Sequence, residues 1–539
     1  MTGLDRRSFL QVLGAAAMAR AIGGAGGAAA ADTPAGANAP KGLAFGPVEP
    51  FSYDMLKRRA LEIAAKPYAE PPRPDPAIVS RIDYDAHGKL RFRKEFSLYR
   101  DGAYPISFQH VGMFFPKTVR MNAVDGETAR EVLYDPRYFP AGPDHVAAGL
   151  AQQPSAFAGF WVHEPARKGD LDKVEPWATF LGASYFRGVG ELGQVGMSAR
   201  GIALDPGGAG AEEFPDFREF WFEPAAGEDA PVTVYALLDG PSVAGAYRFQ
   251  LRRTKGVVMD IEAAILPRRT IERLGLGPLT SMYWFSETAK PTMVDWRPEV
   301  HDSDGLAMWT GAGERIWRPL NNPARISFSS FVDENPRGFG LSQRDRAFAN
   351  YEDGVRYDKR PSVWVEPIGP WGRGMVQLVE IPTDDEIHDN ICAMWLPGEP
   401  GGAPHGAGSH IQIAYRLHWL ADEPYPGDLA RCVATRLGNG GQPGQPRPKG
   451  VRKFMVEFLG GPLVDLPMGV LPEAVLTASR GSFSYVFTEA VPNDVPGHWR
   501  AQFDLTTTGA EPVELRCFLR SGDRVLSETW LYQYHPTPV

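Results

Sequence analysis

Two short stretches concentrate the residues that could do chemistry. The first runs Trp296-Arg297-Pro-Glu299-Val-His301-Asp302-Ser-Asp304-Gly-Leu-Ala-Met-Trp309, and the second Glu380-Ile-Pro-Thr-Asp-Asp-Glu386-Ile-His388-Asp389-Asn-Ile391. Each places several carboxylates in a short loop flanked by apolar residues, so the two loops could converge on one cleft. Two carboxylates are the minimum kit for breaking a glycosidic bond, one delivering a proton to the leaving oxygen and the other activating water. His301 beside Asp302 and His388 beside Asp389 could tune that pair. Six of the thirteen tryptophans (Trp284, Trp296, Trp309, Trp317, Trp364 and Trp371) crowd the same region, and flat indole faces suit the apolar faces of sugar rings. The bland alternative, tryptophans as core and acids as turn-forming residues, explains the composition equally well.

Loops of this kind need strands to hold them. Phe51, Met55, Leu56, Arg59 and Ile63 have helical spacing, with Ser52 able to cap and Pro67 to stop the helix. Beyond it the apolar runs read as strands: Leu90 to Tyr99, Phe157 to Val162, Phe220 to Glu223, Val232 to Leu237, Tyr247 to Leu251, Gly256 to Leu266, Ile326 to Phe331, Ser362 to Glu366, Met375 to Ile381 and Ile411 to Trp419. No βαβ rhythm appears, so the expected fold is all-β, a large antiparallel sandwich over 48–422. A boundary segment and a small immunoglobulin-like sandwich are expected over 423–539. Glycine (59) and proline (49) exceed average usage, which favours short strands and turns over long helices.

Other function classes lose their warrants. The net charge is −9 and no basic stripe is present, so nucleic acid is an unlikely partner on electrostatic grounds. Cys392, Cys432 and Cys517 show no metal-ligand spacing, and no metal or cofactor is expected. Gly188-Val-Gly190-Glu-Leu-Gly193 matches a dinucleotide fingerprint in letters only and reads as a glycine-rich turn. The opening, with Arg6-Arg7-Ser-Phe-Leu before an Ala/Gly-rich stretch, resembles a twin-arginine export signal over 1–31, followed by a linker over 32–47. No later run has the length of a membrane span, and the expected location is the periplasm.

Longer strings carry a family resemblance. Phe180-Leu-Gly-Ala-Ser-Tyr-Phe-Arg187, Pro241-Ser-Val-Ala-Gly-Ala-Tyr-Arg-Phe249, Arg297 to Leu306, Ile316 to Pro323, Asn335 to Leu341, Arg360-Pro-Ser-Val-Trp-Val-Glu-Pro367, Glu380 to Ile391 and Leu526 to Trp530 resemble the periplasmic glucan biosynthesis family, proteins G and D. The twin-arginine start is more like the D branch. The resemblance implies a galactose-mutarotase-like sandwich followed by an immunoglobulin-like domain, and a role on the β-1,2-linked backbone of osmoregulated periplasmic glucans. It further implies an inverting glucanase or transglycosylase with Asp389 as general acid and Asp302 as base, both intact here. An inverting pair stands roughly 6.5–9.5 Å apart, or further if water relays the proton. Trp296, Trp309, Trp317, Trp364, Trp371, His301, His388, Arg297 and Glu380 are the expected glucan contacts. The alternative is a non-catalytic glucan-binding or assembly factor serving the inner-membrane synthase.

Overall fold

The computed structural model describes residues 42–165, 174–208, 210–399 and 405–536; the expected export signal and most of the expected linker lie outside them. Ser52 caps the first helix, Tyr53–Ala64, by accepting the Met55 N–H at 3.2 Å. Its Leu56 and Ala60 pack with Phe51 on Trp221, Leu237, Ala246 and Leu266, covering part of one face of the main sheet.

Among the described residues that sheet has 16 strands, and a second has 10. Alternation builds both. In Val257–Pro267 the buried residues Val257, Met259, Ile261, Ala263 and Ile265 point one way and their partly exposed neighbours the other. The inward faces meet in an aromatic core, where Phe160 and Phe180 stack at 4.8 Å and Phe249 meets Phe180 edge-on at 5.1 Å. Truncating such a ring, as in Phe249→Ala, costs about 3–5 kcal/mol through lost burial and the cavity left behind. The chain is thus nearly all β, and its antiparallel sheets pack in a sandwich-like arrangement.

Two expectations need correction. Leu90 to Tyr99 is not a strand: Lys94–Phe96 turns in a 3₁₀ helix, and only Leu98 makes a bridge, to Ile106. The alternating Phe92, Phe96 and Leu98 do point into the core, so the pattern reported burial rather than pairing. The linker also ends early, because Ala44–Pro50 is a strand paired with Thr128–Leu133.

Past Leu420 the chain forms a four-stranded sheet from Arg431–Asn439, Val451–Leu459, Ser482–Ala490 and His498–Thr506. The strands facing it, Glu473–Ala478, Val513–Ser521 and Thr529–Tyr534, belong to the 16-stranded sheet. The junction is a parallel contact of Ile316 and Trp317 with Thr529 and Trp530. Around it Trp317, Trp364, Phe454, Phe503 and Trp530 form a shared core. Gly305 and Gly338 make room for this core, since a Cβ at either would run into the indole of Trp317 or Trp364.

Candidate active site

Asp389 closes the loop between two neighbouring strands of the 10-stranded sheet, Arg373–Glu380 and Ile391–Pro397. Asparagine side chains fix that loop. Asn390 accepts the Tyr283 N–H at 2.8 Å and donates to the Ile381 carbonyl at 2.9 Å. Asn322 accepts from Thr383 N–H at 2.9 Å and donates to the Thr383 carbonyl at 2.8 Å. Glu386 receives Arg297 as an ion pair and the Tyr357 hydroxyl at 3.0 Å. Asp389 is therefore held by its neighbours on the loop, and its own carboxyl is left for other work.

Asp389 as a whole is 5% exposed. Burial pushes its pKa up to about 6; Arg187 pulls it back, the charge of Asp302 adds to the rise, and Arg200 and Arg360 oppose it. Arg187 and Arg200 stand on Tyr185–Gly188 and Ser198–Arg200, the strands joined by the glycine-rich turn. Gly190 and Gly193 close that turn through backbone hydrogen bonds, with Gly193 at φ 76°, so these glycines shape a hairpin that presents arginines and have no helix to open. Arg187 donates to Ser198 Oγ at 2.5 Å, and Arg200 to Thr280 Oγ1 at 3.0 Å and Glu212 Oε1 at 2.6 Å.

Asp302 arrives from the other sheet. It follows the two-residue strand Val300–His301 and precedes Gly305–Trp309 of the 16-stranded sheet. Its N–H bonds the Met282 carbonyl at 2.9 Å. Its carboxylate lies 3.0 Å from Arg360 Nε and is 13% exposed. Arg360 rests over the Tyr357 ring at 5.3 Å. Both aspartates act electrostatically on Arg187, so the two loops bring their carboxyls within reach of one group of arginines. A buried carboxyl with a raised pKa can keep a proton to give, and a carboxylate paired with arginine is an acceptor.

The other expected contacts divide. Trp296 is 68% exposed beside this region, with the Arg297 guanidinium 5.6 Å from its ring. Trp309 and Trp371 are partly covered: Arg315 lies 3.7 Å over the first, and the second donates to the Ala414 carbonyl at 3.1 Å and packs on Trp395 and Tyr415. Trp317 and Trp364 are buried in the shared core and present no open face, so stacking on a sugar is not available to them as they stand. Glu380 is fully buried, paired with Arg318 at 3.1 Å and accepting the Asn321 N–H at 2.6 Å; it is a strut under the loop rather than a contact within reach of ligand. Arg297 is likewise buried among Asp295, Asp353 and Glu386. His388 is half-buried next to Asp389. His301 is fully buried, stacked on Tyr283 at 5.6 Å, and hydrogen-bonded to Glu299 at 2.9 Å and Gln343 at 3.0 Å. Burial alone would lower its pKa, but Glu299 and Asp304 raise it to about 9.

The arginines were not among the residues expected to do chemistry, although Arg187 ends one of the strings that carry the resemblance and Arg360 begins another. The profile described as "Periplasmic glucan biosynthesis protein, MdoG" matches residues 51–534. The chain belongs to the periplasmic glucan biosynthesis family. The chain is 62% identical over 500 residues to glucans biosynthesis protein D 2 of Ralstonia nicotianae, covering 91% of this chain and 92% of that one. It is 46% identical to glucans biosynthesis protein D of Xanthomonas oryzae pv. oryzae, covering 91% of each chain. With the protein D of Stenotrophomonas maltophilia the identity is 46%, over 92% of this chain and 91% of that one. This member of the glucan biosynthesis family has, among its described residues, no helix long and apolar enough to cross a membrane.

Proposed function

We propose that this chain cleaves or transfers the β-1,2-linked glucan backbone with inversion, using Asp389 as acid and Asp302 as base. The observation that carries the reading is Asp389, a buried carboxyl raised to about 6 among arginines and within electrostatic reach of the Asp302 carboxylate. Asp389 gives its proton to the glycosidic oxygen as the bond to the anomeric carbon breaks. Asp302 takes a proton from water, directly or through a further water, as the new oxygen bond forms on the opposite face. In transfer, a sugar hydroxyl replaces that water. Trp296 offers an exposed ring for a glucose unit near this pocket.

Incubating the purified chain with linear β-1,2-glucan and following product size by chromatography and product anomer by NMR tests the proposal. New chain lengths with inverted anomers are expected. A wild type that neither cleaves nor rearranges that glucan leaves the non-catalytic assembly role, with the inner-membrane synthase as partner. Export by the twin-arginine route belongs to the same proposal. Replacing Arg6 and Arg7 by lysine is expected to hold precursor in the cytoplasm, and unchanged periplasmic accumulation refutes that route.

A further inference from the structure

A cavity of about 730 Å³ lies away from Asp302 and Asp389, between the loops of the large sandwich and the C-terminal four-stranded sheet. Asp302 and Asp389 are not among the residues that line it. Glu299 and His301, on either side of Val300, are hydrogen-bonded to each other, while Asp302, past the end of that short strand, meets Arg360. Glu299 lines the cavity, facing Arg436, Glu457 and His498 of the C-terminal sheet.

The cavity's chemistry is balanced. Four carboxylates and four lysine or arginine side chains line it, so neither sign of charge dominates the wall. The polar groups of its wall are partly engaged. Arg344 is paired with Glu423 and Glu528, Arg436 with Glu457 at 2.9 Å, and His498 Nε2 stands 3.5 Å from the same Glu457. Glu299 gives one oxygen to His301, and Glu287 gives one to the Thr435 N–H at 2.9 Å. Burial and the neighbouring Glu299 push Glu287 up to about 7, which adds a group able to donate as well as accept. Pro298, Ala347, Val433 and Ala434 supply short apolar patches between these groups. Vicinal hydroxyls, each donating and accepting, on a ring with apolar C–H faces answer all of these features, and the volume is in the range of ligand pockets.

We propose that this inter-sandwich cavity is a second saccharide site, holding a neutral stretch of glucan apart from the carboxylate pocket. The proposal rests on the glucan reading of the chain and adds a place to it. Because Glu299 and the four-stranded sheet both contribute, occupancy would tie the C-terminal sandwich to the backbone that carries Asp302.

Calorimetric titration of the full chain with a linear β-1,2-glucooligosaccharide tests this, in an Asp389→Asn background to prevent turnover. Two sites per chain are expected. Val433→Trp, at an exposed position on the rim, should fill the cavity and leave one site, while Arg436→Ala should weaken the second site about tenfold or more through the lost charged donor. The His498 imidazole resonance should move on adding sugar to the background chain and stay still in Val433→Trp. One site, lost in Trp296→Ala and indifferent to Val433→Trp, overturns the inference and leaves the glucan reading standing. One site lost only with Val433→Trp upholds the cavity and removes the Trp296 cleft. No binding by any of these chains overturns both.

Discussion

Two regions of this protein bury carboxylates without making them equivalent. Around Asp389 the compensation comes from guanidinium groups: Arg187 and Arg200 approach from two strands and Arg360 from the turn that follows Tyr357–Lys359, and among the described residues no hydrogen bond from its own loop holds the carboxyl. At the boundary of the two sandwiches, Glu299 and Asp304 clamp His301, and Glu287 answers a backbone N–H of the opposite sheet. In the first region the charges are balanced from a distance, so a proton can come and go while the hydrogen bonds fixing the loop remain. In the second the carboxylates are themselves the fastening, and changing their protonation changes what is tied to what. Burial raises a pKa in both places; the identity of the partner decides whether that rise serves proton transfer or cohesion.

The sharpest way to break the comparison is to neutralise each carboxylate in turn. Asp389→Asn and Asp302→Asn are each expected to lower turnover on β-1,2-glucan by roughly 100-fold or more with the fold retained, read from initial rates and circular dichroism. Wild-type turnover in Asp389→Asn removes that residue from the role of acid. Substitutions at Glu299, Asp304, Glu380 or Glu386 are not neutral controls, because each of these groups fastens a loop or a histidine.

Stability should move the other way. The folded state holds the Asp389 proton up to about pH 6, against an ordinary value of 3.8, so between these values it binds more protons than the unfolded chain and stability falls as pH rises. Asp389→Asn should therefore melt higher than wild type at pH 7.5, by about 1–3 kcal/mol, with the gain fading toward pH 4. Glu287→Gln keeps an acceptor for Thr435 and should show a gain of the same sign, fading toward pH 5. A loss of stability at pH 7.5 in either variant contradicts the assigned direction.

Arg187→Gln removes the largest influence holding Asp389 down. The alkaline limb of kcat/KM, expected near pH 6 for an acid that must be protonated, should move to higher pH. An unmoved limb would separate Arg187 from the acid. The smallest effect is expected at Trp296→Ala, which should weaken glucan binding by about 1 kcal/mol and leave the melting temperature unchanged, because the ring is mostly exposed.

Much of this was legible in the residues themselves. Period-two alternation located most of the strands, as far as Ile411–Leu420, and the Ser52 cap located the helix. The two acidic loops stood out between apolar runs, and the family resemblance, rather than the spacing, singled out Asp302 and Asp389 within them. The arginines did not, because Arg187 and Arg200 sit inside short buried strands where a charged residue breaks the alternation, and only the tertiary fold brings acids to them. Tryptophan clustering gave mixed information: it located one exposed ring, Trp296, and a core, Trp317 and Trp364, with the same signal. An indole over a strand glycine and an indole over a sugar are alike in sequence, since both need only a flat apolar partner.

The parallel seam between Arg315–Pro319 and Thr529–Tyr534 has a consequence for how the chain comes to be folded. Glu314 and Thr529, hydrogen-bonded at 2.6 Å, are 215 residues apart. Until the later strand is synthesised, the earlier one presents an open sheet edge, and the indoles of Trp317 and Trp364 lack the wall that later covers them. Such a high-separation pairing is slow to find and leaves a sticky intermediate. A chain stopped near residue 420 should consequently aggregate rather than persist as a free sandwich, so the C-terminal strands act as the closing stitch of the main sheet.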